Sequence, residues 1–185
     1  MLHFANWITW KWKKYSGKKI AQELGYKYLD KDYFLEKLFE IKGALNPEQR
    51  AKLSSEASDS FLVEAEKHKN VVLVSHWKTR FSNSGTEVVS ILNKFNQFQE
   101  IYCHCSTREA ANRFLARKRH KMHFDERWSE KELLHWMADY SRGLPLISNG
   151  ISVSTQENVD VDMVMKTIHN KGMQLKITRR APYFN

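Results

Sequence analysis

Residues Val71–Trp77 read VVLVSHW, and the class of the fold turns on them. Val71 to Val74 leave no polar face, the pattern of a strand covered on both sides, as in the middle of a parallel sheet. Upstream, Asn46–Asn70 (NPEQRAKLSSEASDSFLVEAEKHKN) opens on Asn-Pro, a helix start, and sets Leu53, Ala57, Phe61 and Ala65 on one face. Lys31–Ile41 (KDYFLEKLFEI) spaces Phe34, Leu35, Leu38, Phe39 and Ile41 as a helix does. Gly25–Asp30 (GYKYLD) reads as a glycine-led strand after the short apolar start MLHFA. Downstream come a helix over 86–97, a strand in Glu100–Cys105 (EIYCHC), and a helix in Thr107–Lys121 opened by Ser106 or Thr107. A further helix follows in Ser129–Gly143, capped by Ser129 and stopped by Gly143, then a strand in Gly150–Thr155 and a last helix in Val159–Gly172. Strand and helix alternate throughout, which predicts an α/β domain with a parallel sheet covered on both faces. Ligands of such sheets bind beyond the carboxyl ends of the strands, so the residues just after YLD, VLVS and YCHC are the site candidates.

The 185 residues suit one domain, and their net charge of +9 is unevenly placed. Residues 1–20 hold five lysines and no acid; 101–128 hold seven basic against three acidic residues; 171–185 hold four basic and no acid. Basic clusters of this kind suit phosphate-bearing ligands. No uncharged apolar run of about 18 residues occurs, and the start lacks the apolar core and cleavage site of a signal peptide. A cytoplasmic protein without membrane contact is expected. Cys103 and Cys105 are too close for an unstrained disulfide and lack the companions of a zinc site, so they read as small buried thiols. His120 and His123 likewise have no further ligand at metal spacing, and no protein-bound metal is expected.

From about Gly25 to Ile168 the chain resembles the small P-loop kinases, the group of shikimate kinase, gluconate kinase and chloramphenicol phosphotransferase. The resemblance lies in YLDKD after the second strand, VVLVSHW as the third, CSTREAANRFLARKRH as a strand end with an arginine-rich helix, and ISVSTQENVDVDMVMKTI as a closing strand and helix. It implies a P-loop NTPase fold, a three-layer sandwich with a parallel sheet of about five strands. It also implies one domain over 1–185 with a lid around 113–128. The implied activity is transfer of the γ-phosphate of ATP, with Mg2+, to the hydroxyl of a small-molecule acceptor. A monomer or homodimer is expected. A nucleic-acid partner is not expected, although the Trp-Lys segment Asn6–Lys19 (NWITWKWKKYSGKK) alone would suit one.

The family's phosphate loop, G-x-x-G-x-G-K-[ST]-T, needs glycines so that backbone N–H groups can wrap phosphates, while Lys meets the β and γ phosphates and Ser or Thr holds magnesium. Here no glycine precedes Gly17. Counting back from ELG, where the family's first helix ends, puts the three glycines at Trp7, Trp10 and Trp12, the lysine at Lys13, and the hydroxyl residues at Lys14 and Tyr15. Tryptophan has the single codon TGG, and each of the three precedes a residue whose codon starts with A, namely Ile8, Lys11 and Lys13. A one-base shift turns each TGG-A into GGA, glycine. The shifted frame permits G-L-P-G-S-G-K-S-T-L-A-K-K, so residues 6–17 read as a frame-shifted P-loop. The chain as written is expected to bind ATP weakly or not at all.

By the same resemblance Asp30 would act near magnesium or its water, and Asp32 would orient or deprotonate the acceptor hydroxyl. Asp32 is also a good cap for the helix that follows. Ser75 stands where many P-loop proteins carry a metal-holding aspartate, and His76 and Trp77 would border the acceptor pocket. Arg113, Arg117 and Arg119 match the lid arginines that clamp phosphates, a task the planar guanidinium fork suits. Gln156 to Asp160 would lie near the adenine.

Overall fold

The computed structural model describes residues 2–5, 10–43, 46–75, 99–118, 120–141 and 150–177. Among these residues five strands, β1 (Leu2–Ala5), β2 (Lys27–Asp30), β3 (Val71–Ser75), β4 (Gln99–His104) and β5 (Ile151–Ser154), form one sheet in the order β2-β3-β1-β4-β5. Every pairing is parallel. The helices are α1 (Trp10–Leu24), α2 (Lys31–Lys42), α3 (Pro47–Glu66), α4 (Thr107–Ala116), α5 (Glu130–Ser141) and α6 (Val161–Ile177), with two short 3-10 turns at Lys121–His123 and Asp125–Arg127. The expected α/β architecture is therefore present. His76, Trp77, Gly143 and the helix expected over 86–97 lie outside the described residues.

Residues Val71 to Val74 are fully buried, as their unbroken apolar run requires. On one face Val72, Val74, Ile101, Cys103, Ile151 and Val153 pack with Ile20 and Ala21 of α1 and Val161, Val164, Met165 and Ile168 of α6. α2 and α3 pack together through Leu35, Leu53 and Ala57, and they border β3 and β2. α4 and α5 share a smaller cluster of Cys105, Ala110, Ala111, Leu133 and Met137. Among the described residues no helix is long and apolar enough to cross a membrane.

Local chemistry fixes the ends of these helices. Asn46 caps α3 by accepting from Gln49 N, with Pro47 in the first turn, as Asn-Pro predicts. Ser106, not Thr107, caps α4. Ser129 and Glu132 exchange the two bonds of a capping box at the start of α5. α1 ends on Gly25, whose φ of 64° lets Tyr26 N reach Ala21 O at 2.8 Å and Gly25 N reach Gln22 O at 3.1 Å. This paired closure needs a residue at ease in the left-handed region. Gly17 does different work: a Cβ there would stand 2.8 Å from Val74 Cγ2 and 3.2 Å from Tyr28 Cε2, so its bare backbone lets α1 lie close on β3 and β2.

Candidate active site

The carboxyl ends of β2 and β3 come together under the start of α1. Asp30 pairs in register with Val74, and Ser75, buried, pairs with Ala5 at the end of β1. Asp30 is 9% exposed and both its carboxylate oxygens have partners. Oδ1 accepts from Asp32 N at 3.1 Å, capping α2, and Oδ2 meets Lys14 Nζ at 2.7 Å. A carboxylate this enclosed is tolerable because a cation and a helix N-terminus share its charge. The cap of α2 is thus Asp30; Asp32, the capping residue suggested by the sequence, lies in the first turn with a half-buried side chain. Below them the phenol of Tyr28 is held well above its ordinary range by burial, with the negative charges of Asp30 and Asp32 adding to the effect.

The start of α1 departs from a phosphate loop. Trp10, Lys11 and Trp12 form its first helical turn, where the resemblance calls for glycines in a loop. Helical backbone is what non-glycine residues adopt here, since they cannot enter the positive-φ conformations that such a loop uses. Trp7 lies outside the described residues, as do the side chains of Trp10, Trp12 and Lys13. Tyr15 is two-thirds exposed on α1.

The arginine-rich segment after α4 is folded against the protein. Arg113 donates to Thr155 O at 2.8 Å and Gln156 O at 3.2 Å and pairs with Glu109. It ties α4 to the loop after β5, where Gln156 Oε1 also accepts from Ser106 N at 2.9 Å and Thr155 N donates to His104 O. Arg117 lies over the Phe114 ring and pairs with Asp125 at 3.1 Å. Arg119 lies outside the described residues. The segment reaches α2 through His123, buried, with Nε2 3.4 Å from Glu36 Oε1, and through His120, edge-on to Phe39. Trp128 stacks on Trp136 of α5, and the Arg127 guanidinium lies 5.0 Å from the Trp128 ring centroid. Phe124, at φ 52°, makes the turn between the two 3-10 segments.

Lys14 and Asp30 are thus brought together with Asp32 close by, whereas Arg113 and Arg117 are engaged by backbone carbonyls and Asp125. The Lys14–Asp30 pair and the contacts of His123 and His120 with α2 left no mark in the sequence, because each joins residues far apart in the chain. Cys103 and Cys105 are buried and form no disulfide, as expected of small buried thiols, and burial pushes the Cys105 thiol up to about 11. Among the described residues no group of three or more His, Cys, Asp or Glu side chains could hold a metal ion.

No protein-family model matches the sequence, and no curated protein matches it. Solved structures do. A "putative kinase" from Chloroflexus aurantiacus superposes with a TM-score of 0.71 at 18% identity, covering 94% of this chain and 96% of that one. Shikimate kinase from Bacteroides thetaiotaomicron gives 0.58 at 14% identity, covering 95% and 98%. A gluconokinase from Sinorhizobium meliloti 1021 gives 0.58 at 12%, covering 97% and 96%. The fold is that of the small P-loop kinases. Within this kinase fold the residues present do not fit Mg-ATP as the resemblance would have it. Of the positions for the phosphate-wrapping backbone, 10–12 form a helical turn, and position 14 offers an ammonium, with no lone pair for a metal, already set on Asp30.

Proposed function

We propose that the protein derives from an ATP-dependent phosphotransferase acting on the hydroxyl of a small molecule, and that the chain as written has lost the phosphate-binding half of its site. The observation that carries this reading is Asp30, a nearly buried carboxylate at the carboxyl end of β2, facing the first turns of α1 in a β2-β3-β1-β4-β5 parallel sheet. Such a crevice is where open α/β sheets bind ligands. In it Asp32, in the first turn of α2, would orient the acceptor hydroxyl and take its proton, and Asp30 would hold α2 in place by its cap.

For the chain as written, a catalytically impaired relative is the better description, because Trp10–Trp12 are helical. The test compares the written chain with one carrying Trp7→Gly, Ile8→Leu, Thr9→Pro, Trp10→Gly, Lys11→Ser, Trp12→Gly, Lys14→Ser and Tyr15→Thr, with Gly17 kept. Both are assayed for ADP release from Mg-ATP against a panel of sugars, sugar acids, hydroxylated ring acids and nucleosides. Acceptor-dependent turnover is expected only in the restored chain. A restored chain that is folded yet neither binds ATP nor turns over any acceptor would overturn the first half of the reading. Micromolar Mg-ATP affinity in the written chain would overturn the second. The codons for residues 6–17 give an independent check, since codons unable to encode the shifted peptide end the frame-shift account.

A further inference from the structure

We infer that the ammonium of Lys14 is the resident cation of this crevice and excludes a divalent ion from Asp30. The inference rests on the reading of the crevice above, but not on any activity. Lys14 Nζ lies 2.7 Å from Asp30 Oδ2, with only 23% and 10% of the two side chains exposed. At that separation, and largely out of water, the contact is a charge-assisted hydrogen bond between full charges. The second oxygen of Asp30 is engaged by Asp32 N. A magnesium ion on this carboxylate would therefore have to displace the ammonium or sit beside it.

Neither arrangement is favoured. Displacement leaves a largely enclosed lysine without its carboxylate, and coexistence sets like charges close together where screening is weak. Magnesium also asks for oxygen donors in octahedral array. Position 14 supplies three N–H donors and no acceptor, and among the described residues no cluster of three metal-ligating side chains stands in for it. The site is instead complete without a metal. The carboxylate has its countercharge, the pair fastens the second turn of α1 to the end of β2, and Tyr28 beneath it remains protonated.

The experiment reads metal binding directly, with Mn2+ as the probe and electron paramagnetic resonance of the free ion as the signal. It compares the full chain as written with Lys14→Ser, Lys14→Met and each of these combined with Asp30→Asn. Lys14→Met keeps the aliphatic stem and removes only the charge, so it answers the question if Lys14→Ser fails to fold; thermal unfolding establishes which variants are native. Binding at least tenfold tighter in the folded Lys14 variants than in the written chain, with the gain abolished by Asp30→Asn, is expected. Equal binding in the written chain and the Lys14 variants overturns the inference, whether that binding is tight or absent. A restored-loop chain that fails to phosphorylate any acceptor would count against the proposed function and leave this result untouched, whereas equal Mn2+ binding would do the reverse.

Discussion

Replacing Gly17 by alanine tests how closely α1 lies on the sheet, and so what positions Lys14 one turn earlier. On an exposed helix face the change would stabilise by about 1 kcal/mol, because alanine is the better helix former. Here the new methyl carbon would stand 2.8 Å from Val74 Cγ2 and 3.2 Å from Tyr28 Cε2. Val74 is fully buried and β-branched, in a strand paired on both sides, so it has little freedom to turn away. Overpacking of this kind costs about 1–3 kcal/mol. Set against the propensity gain, Gly17→Ala should lose about 1 kcal/mol, which for a chain of this size lowers the melting temperature by about 2–4 °C. Gly17→Val, with two more methyl groups and no such gain, should lose about 3 kcal/mol. Urea unfolding gives both values from the midpoint and slope. Because Val74 is the named obstacle, the loss from Gly17→Ala should shrink or vanish in a Val74→Ala background, a coupling that a double-mutant cycle isolates. Stabilisation by Gly17→Ala in the otherwise unchanged chain would refute the packing, and an additive cycle would show that Val74 is not what the methyl group meets.

Arg113→Ala should cost about 1–2 kcal/mol in urea unfolding, since its guanidinium, a third exposed, joins α4 to the carbonyls of Thr155 and Gln156; Arg113→Lys should recover only part of this, because one ammonium cannot span both carbonyls. Cys105 should react slowly with a thiol reagent in the native protein at pH 8 and rapidly in denaturant. Its folded pKa, raised by burial from 9.0 to about 11, means that the unfolded chain gives up the proton first, so the thiol's contribution to stability is complete below pH 9 and is lost as pH rises from 9 to 11. A Cys105→Ala variant should accordingly show a shallower loss of stability across that window. Restoring the glycines at 7, 10 and 12 should shorten α1, since Trp10→Gly and Trp12→Gly each cost about 0.5 kcal/mol in a helix; hydrogen exchange should then show lost protection at the amides of 14–16 and unchanged protection from Ile20 onward.

Much of the architecture was legible because it depends on local pattern. The unbroken apolar run of Val71–Val74, the Asn-Pro before α3 and the cap at Ser129 each act within a few residues, and each is found where the sequence predicts it. The site was legible only in its parts. Asp30 could be placed at the end of β2, but that it caps α2, in place of Asp32, depends on where the strand stops and the helix begins, a boundary that a single residue decides. Its pairing with Lys14 depends on how far α1 rotates on the sheet, which the close approach at Gly17 helps to set. The engagement of Arg113 by the carbonyls of Thr155 and Gln156 joins residues 42 and 43 positions apart, and no periodicity carries such information.

The Lys14–Asp30 pair also bears on how a chain without a phosphate loop can keep the kinase fold. A carboxylate as enclosed as Asp30 is costly when uncompensated, and removing its partner would leave that cost at the carboxyl end of the edge strand β2. In the proposed frame shift the hydroxyl residue at position 14 becomes lysine in the same event that turns the glycines into tryptophans, so the means of binding a divalent ion is lost as its replacement countercharge arrives. The helix extends back over Trp10–Trp12 because non-glycine residues favour it, and the lysine one turn further on reaches the carboxylate. Downstream, α1 still lies on β3 and β2 at Gly17 and still closes at Gly25, so the remainder of the sheet meets the same surface. On that account the change falls on phosphate and metal binding, while the described core is built from Val71–Val74 and the residues of α1 and α6 that pack beside them from Ile20 onward.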